Sequence, residues 1–86
     1  MASTVLTLIG KPDCHLCEDA RAIVTEVLVD YPAVSLEERS ILDDAELLEK
    51  YVEEIPVLLI DGRVHTIWRV KPERLRAALD TRLEQG

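Results

Sequence analysis

A single α/β domain with a mixed four-stranded sheet and helices on both of its faces is predicted by three features of the sequence. Thr4 to Ile9, rich in β-branched residues and leucine, is followed by apolar residues at helical spacing and then by an alternating run, the outline of a strand–helix–strand unit. Asp61-Gly62 stands between two strand-like runs and supplies the positive φ angles of a two-residue hairpin turn. Apolar residues at 48% and charged residues at 31% are ordinary globular proportions, and 86 residues leave room for one modest core. The whole of 1–86 is read as one domain.

Each element has its own signal. Thr4 to Ile9 carries hardly a polar side chain, as a central strand buried on both faces does. Gly10 and Pro12 break the run, and from Cys14 to about Leu28 the residues Leu16, Ala20, Ile23, Val24, Val27 and Leu28 recur at helical spacing until Tyr31-Pro32. From Ala33 to Arg39, Val34 and Leu36 alternate with Ser35 and Glu37, a strand polar enough for a sheet edge. Asp43 with Glu46 three positions later reads as a capping box, opening a short helix with an apolar stripe of Leu47, Leu48, Tyr51 and Val52 and an acidic opposite face. Val57 to Ile60 and Arg63 to Trp68 form the hairpin. Lys71-Pro72 then opens a closing helix with Leu75, Ala78, Leu79 and Leu83 on its buried face. The first unit implies a parallel crossover, and the hairpin adds two strands to the same sheet.

Both cysteines of the chain lie in Lys11-Pro12-Asp13-Cys14-His15-Leu16-Cys17. Three residues apart at a helix start, they share one face of its first turn. A bridge between them closes almost no loop and so removes little entropy from the unfolded chain, which makes their role chemical rather than structural. The positive end of the helix dipole favours a thiolate at Cys14, the expected nucleophile, and Cys17, one turn inside, would resolve the mixed disulfide. The Cys17 amide and the Lys11 cation favour that thiolate, Asp13 and Glu18 oppose it, and His15 assists only when protonated. Asp13 also reads as the helix N-cap. The same Cys-x-x-Cys spacing supplies half of many zinc sites, so metal or iron–sulfur ligation is the alternative, although the chain has no second cysteine pair.

The remaining chemistry-bearing residues have plainer readings. On base rate alone, with roughly 5–6% of X–Pro bonds cis, Pro56 starts its strand through a trans bond. Trp68 reads as a lid on the core, Tyr51 as a core residue and His65 as a surface residue. The start from Met1 to Ile9 has no basic flank and is too short for a signal peptide or a membrane span. A free cysteine pair suits a reducing compartment, so a cytoplasmic protein is expected. A net charge of −7 counts against nucleic acid as a partner. Acidic groups concentrate in 37–54 while 63–86 is basic, which suits steering of a charged partner as well as simple solubility.

With the cysteine motif ending the first strand and Ile55-Pro56 opening the third, the chain resembles the thioredoxin fold, and at this length the glutaredoxin-like family, over about residues 4 to 83. Lys11, three residues before Cys14, matches a lysine of glutaredoxins. The resemblance implies that Pro56 is cis and faces the cysteines, with the Ile55 backbone turned toward the site to pair with an extended thiol substrate. It further implies a thiol–disulfide oxidoreductase acting on protein disulfides or glutathione mixed disulfides. No tightly bound cofactor is expected. Glutathione would be a co-substrate, glutathione or a flavin-dependent reductase the source of electrons, and the protein a monomer.

Departures from that family bear on its substrate. His15-Leu16 replaces the usual Pro-Tyr between the cysteines and changes the expected redox potential. Glu53 stands where a basic or amide residue precedes the proline by three, and Ile67-Trp68-Arg69 occupies the place of a Gly-Gly-acid sequence. Those elements help to hold glutathione. Glu53 and Glu54 would repel it, and Arg69, Lys71 and Arg74 would offset this if they face the site. Dithiol chemistry is thus a firmer expectation than glutathione binding. Two other readings use the same residues: a metal or iron–sulfur carrier in which Cys14, glutathione and a second copy complete the ligands, and a redox-inert interaction module.

Overall fold

The computed structural model describes residues 4–85; the Met1–Ser3 part of the start and Gly86 lie outside the described residues. The elements are β1 (Val5–Gly10), α1 (His15–Leu28), β2 (Ser35–Ser40), α2 (Ala45–Tyr51), β3 (Val57–Ile60), β4 (Arg63–Ile67) and α3 (Pro72–Gln85). The strands make one sheet in the order β2-β1-β3-β4, with β1 parallel to β2 and the other two pairs antiparallel. It is the mixed α/β sheet of the thioredoxin fold. Ile9 pairs with Val57, which pairs with Ile67, and Gly10 pairs with Ser40, so one end of the sheet gathers the loops that follow β1 and precede β3.

Period-two alternation divides the core. Leu6, Leu8, Leu58 and Ile60 project to one face, where Ala20, Val24 and Val27 of α1 and Leu75 and Leu79 of α3 cover them. Ile9 and Val57 project to the other, against Ile41 of the turn after β2 and Tyr51 of α2. Each fully buried leucine or isoleucine of this kind contributes roughly 1.5–3 kcal/mol relative to exposure. Val34, read as part of β2, is buried just before the strand begins.

The hairpin forms as its sequence demands, with φ of 48° at Asp61 and 84° at Gly62. Asp61 does more than turn the chain. Its Oδ1 accepts from the Val5 amide at 2.8 Å and its Oδ2 meets Arg82, so the turn holds the start of β1 and the end of α3 together. His65 is the extra residue of a bulge, because Leu58 pairs with Thr66 while Leu59 pairs with Val64.

Four expectations need correction. The cap of α2 is Asp44, whose Oδ1 accepts from the Glu46 amide at 2.9 Å, because a turn over Ser40–Asp43 occupies Asp43, whose amide bonds the Ser40 carbonyl. Of the expected α2 stripe Tyr51 is buried and Leu47 packs against the core, but Leu48 and Val52 are exposed: seven residues present too short a face to bury four. Leu83 is likewise exposed near the end of α3. Trp68 does not cover the core. It lies outside β4 with φ 67° and is 53% exposed. Among the described residues no helix is long and apolar enough to cross a membrane.

Candidate active site

The last residue of β1, Gly10, leads into the loop that carries the cysteines. Asp13 adopts φ 59°, a left-handed conformation that aspartate tolerates better than most residues. That turn delivers Cys14, with φ −111° and ψ 113°, to the N-cap of α1. The expected Asp13 cap is therefore displaced by one residue. Cys14 Sγ itself accepts from the Cys17 amide at 3.3 Å, and its carbonyl accepts from the Glu18 amide at 3.0 Å to begin the helix. A sulfur thus takes the place that a hydroxyl or carboxylate oxygen usually fills. Both cysteines are free and half-buried.

Cys17 lies one turn inside, against the end of β1. Its thiol is pushed up to about 11, first by burial and then by the side-chain hydrogen bond and charge of Cys14, while a backbone hydrogen bond from Lys11 and the Lys11 ammonium act in the opposite sense. Lys11 therefore bears electrostatically on Cys17. His15 projects into solvent, with its Nδ1 3.9 Å from Glu18. Cys17, Lys11, Asp13, Arg21 and Arg39 help to line a cavity of about 410 Å³ between α1 and β2, across which Arg21 Nε donates to Glu38 at 2.7 Å.

The Ile55–Pro56 peptide bond is cis. Because Val57 pairs with Ile9, Pro56 comes level with Gly10 at the cysteine end of the sheet. Pro56 is fully buried, and Ile55 packs against the α2 side of the core. The Ile55 amide and carbonyl make no backbone hydrogen bond among the described residues. Trp68 secures this segment from the side: its amide donates to the Pro56 carbonyl at 2.8 Å and its indole Nε1 to the Glu53 carbonyl at 3.2 Å. Sequence reasoning missed that role, because a lone tryptophan in a small domain reads first as core. Gly10 escapes it too, because in the sequence it reads only as the break after β1.

Arg69, Lys71 and Arg74 do not join the cysteine cavity. They line a separate one with Trp68 and His65, and the two cavities have no lining residue in common. His65, expected at the surface, is half-buried, and burial followed by the charge of Arg74 lowers its pKa. Among the described residues no three His, Cys, Asp or Glu side chains are grouped to hold a metal ion.

The glutaredoxin-like domain (DUF836) family model matches residues 5–80. A solved protein of X. campestris is 38% identical, with 88% of this chain and 96% of that one covered and a TM-score of 0.67. An uncharacterized protein of Mycobacterium tuberculosis is 26% identical over 81 residues, 90% of this chain and 84% of its own length. A thioredoxin of Trypanosoma brucei brucei, 17% identical, shares the fold with a TM-score of 0.70 over 95% of this chain and 76% of that one. With the family match running from the first strand into the last helix, the chain belongs to the glutaredoxin-like domain family (DUF836).

Proposed function

We propose that this protein is a dithiol thiol–disulfide oxidoreductase in which Cys14 is the nucleophile and Cys17 the resolving thiol. One observation carries the reading: the Cys17 amide donates to Cys14 Sγ at 3.3 Å, so the residue that brings the second thiol also holds the first sulfur at the helix start. The Cys14 thiolate attacks one sulfur of a substrate disulfide, forms a mixed disulfide and expels the other sulfur as a thiolate, which takes a proton from water. Cys17 then gives up its proton and attacks Cys14 Sγ, breaking the mixed disulfide and expelling the second substrate thiolate, which takes up a proton in turn. The substrate has gained two electrons and two protons, and the protein holds a Cys14–Cys17 disulfide.

The raised pKa of Cys17 orders these steps. While Cys14 is a thiolate, its charge and hydrogen bond help keep the Cys17 proton in place. Once Cys14 is tied into a mixed disulfide that charge is gone, and Cys17 ionises more readily when its attack is needed. Asp13 and His15 flank Cys14 and are proposed to tune it. Lys11 and the free Ile55 backbone groups beside cis Pro56 would receive an extended substrate segment as a short added strand.

The proposed substrates are protein disulfides or glutathione mixed disulfides, with glutathione or a flavin-dependent reductase returning the electrons to a cytoplasmic monomer. The test is intact-mass analysis across glutathione redox buffers, on the wild type and on Cys17→Ser. An internal disulfide in the first and glutathione held at Cys14 in the second are expected. A Cys14 that stays reduced throughout, or a purified protein whose bound metal is lost on Cys14→Ser, would replace this reading.

A further inference from the structure

Where β4 ends and α3 begins there is a second cavity of about 260 Å³, lined by His65, Trp68, Arg69, Lys71 and Arg74 together with Thr66 and Ile67. Among the described residues no carboxylate lines it. Arg21, Arg39, Arg76 and Arg82 each meet an acidic partner, whereas Arg69, Lys71 and Arg74 have no ion pair among the described residues. In a chain of net charge −7, three unpaired cations around one small cavity leave a local repulsion that an anion would relieve. Glu73 shares the first turn of α3 but stays outside the lining.

The other walls narrow the class of anion. Two guanidinium groups and an ammonium match the several acceptor oxygens of a phosphoryl group better than the two of a carboxylate. The indole N–H of Trp68 is already engaged by the Glu53 carbonyl, so what its exposed ring offers a ligand is an apolar, flat surface. Half-buried His65 lines the same cavity, and burial followed by the nearby Arg74 charge lowers its pKa. The volume is below the roughly 300–1,000 Å³ of sites for drug-sized ligands, so the cavity fits a small ligand.

We propose that this cavity binds a small phosphate monoester, with its phosphoryl oxygens held by Arg69, Lys71 and Arg74 and its organic part against Trp68. The site is distinct from the cysteine cavity, and its occupancy requires no thiol chemistry. Binding brings negative charge beside His65 and raises its pKa, and the bound ring then becomes a further donor to the phosphoryl group.

Two-dimensional NMR on the reduced full-length protein tests this at constant ionic strength, with phenyl phosphate and inorganic phosphate as the probes. Saturable shifts confined to about residues 65–74 are expected, with phenyl phosphate at least fivefold tighter than inorganic phosphate and at least tenfold weakening in Arg69→Gln/Arg74→Gln. The His65 ring should titrate at higher pH with phenyl phosphate present than without it. Equal affinity for the two probes would overturn the monoester in favour of free phosphate. Shifts spread over every exposed cation would show only general ion atmosphere, and shifts centred on 11–17 would assign the anion to the cysteine site. Either of these would also overturn the proposal. No disulfide substrate is present, so failure here leaves the redox reading standing, and failure of that reading leaves this one.

Discussion

Gly10 and Cys17 stand so close that no side chain fits between them: a Cβ on Gly10 would lie 2.9 Å from Cys17 Sγ and 3.1 Å from its Cβ. The last residue of β1 is thereby part of the thiol's seat. Because Gly10 is also held by its carbonyl, which accepts from the Ile41 amide at 2.9 Å, the strand is not free to retreat. Gly10→Ala must therefore move Cys17. Overpacking of this kind typically costs about 1–3 kcal/mol, measurable as a lower denaturation midpoint. The more telling effect is kinetic. The first attack by Cys14 should proceed nearly as before, whereas the attack of Cys17 on the mixed disulfide should slow, so that acid-quenched mass spectra show the mixed disulfide accumulating. An unchanged resolution rate in a correctly folded variant would show that the contact does not position the thiol.

The thiol of Cys17, pushed up to about 11 from an ordinary 9.0, also sets a pH dependence. An acid whose pKa is higher in the folded state keeps a proton that the unfolded chain releases. Its stabilising share is complete below about 9 and is lost as pH rises through about 11, so stability of the reduced protein should fall across that interval. Cys14→Ser removes the sulfur whose hydrogen bond and charge help to raise the Cys17 pKa, and leaves a hydroxyl that can cap the helix in its place. Thiolate absorbance should then report Cys17 titrating below 11 but above 9.0, because burial, the largest cause, is untouched. A Cys17 titration unchanged by Cys14→Ser would remove the electrostatic link between the two sulfurs.

What could be read from the sequence was what local chemistry decides. Asp61-Gly62 dictates its own turn, and alternating or helical spacing located all seven elements, because a strand or helix advertises the face it buries. The cysteine pair was legible for the same reason, since both thiols sit within one helical turn. What escaped depended on contacts across the fold. Gly10 looked like a strand ending until the sulfur of Cys17 was seen against it, and the hydrophobicity of Trp68 pointed inward although the Glu53 and Pro56 carbonyls hold it outside. Asp13 and Asp43 each looked like a cap, and each lost the place to its successor because a preceding turn shifts where the helix begins. The basic trio of Arg69, Lys71 and Arg74 was visible as composition, but only the path of the chain from the end of β4 into α3 tells which cavity it lines.

The shift at α2 is directly measurable. Asp44 Oδ1 satisfies the Glu46 amide, one of the helix's orphan donors, so Asp44→Ala should cost about 0.5–2 kcal/mol. Asp43 makes no side-chain hydrogen bond or ion pair among the described residues, and as an exposed acid it should tolerate alanine within about 0.5 kcal/mol. Urea denaturation of the two variants separates these outcomes. A larger loss from Asp43→Ala would return the cap to the position that the Asp43–Glu46 spacing suggests.

Trp68 ties β4's side of the sheet to the segment 53–56 that carries the Ile55–Pro56 bond. Its indole N–H holds the Glu53 carbonyl and its amide holds that of Pro56, so both ends of 53–56 are fixed from β4's side. Trp68→Phe preserves an aromatic ring and the backbone bond while removing the indole donor along with part of the ring's area. A net loss of about 0.5–1.5 kcal/mol follows if the Glu53 carbonyl regains water, as its exposed setting allows. The loosened segment should hold an extended substrate less well, raising KM for a protein disulfide severalfold with kcat little changed, since neither cysteine is touched. Trp68→Gly separates the ring from the backbone: it relieves the positive φ of 67° but abandons the indole bond and the ring's packing. If Trp68→Gly matches the wild type in KM, the indole does not hold the segment; if both variants raise KM while Cys14 is glutathionylated at the normal rate, the tryptophan acts by positioning the Ile55 backbone and not through the thiol.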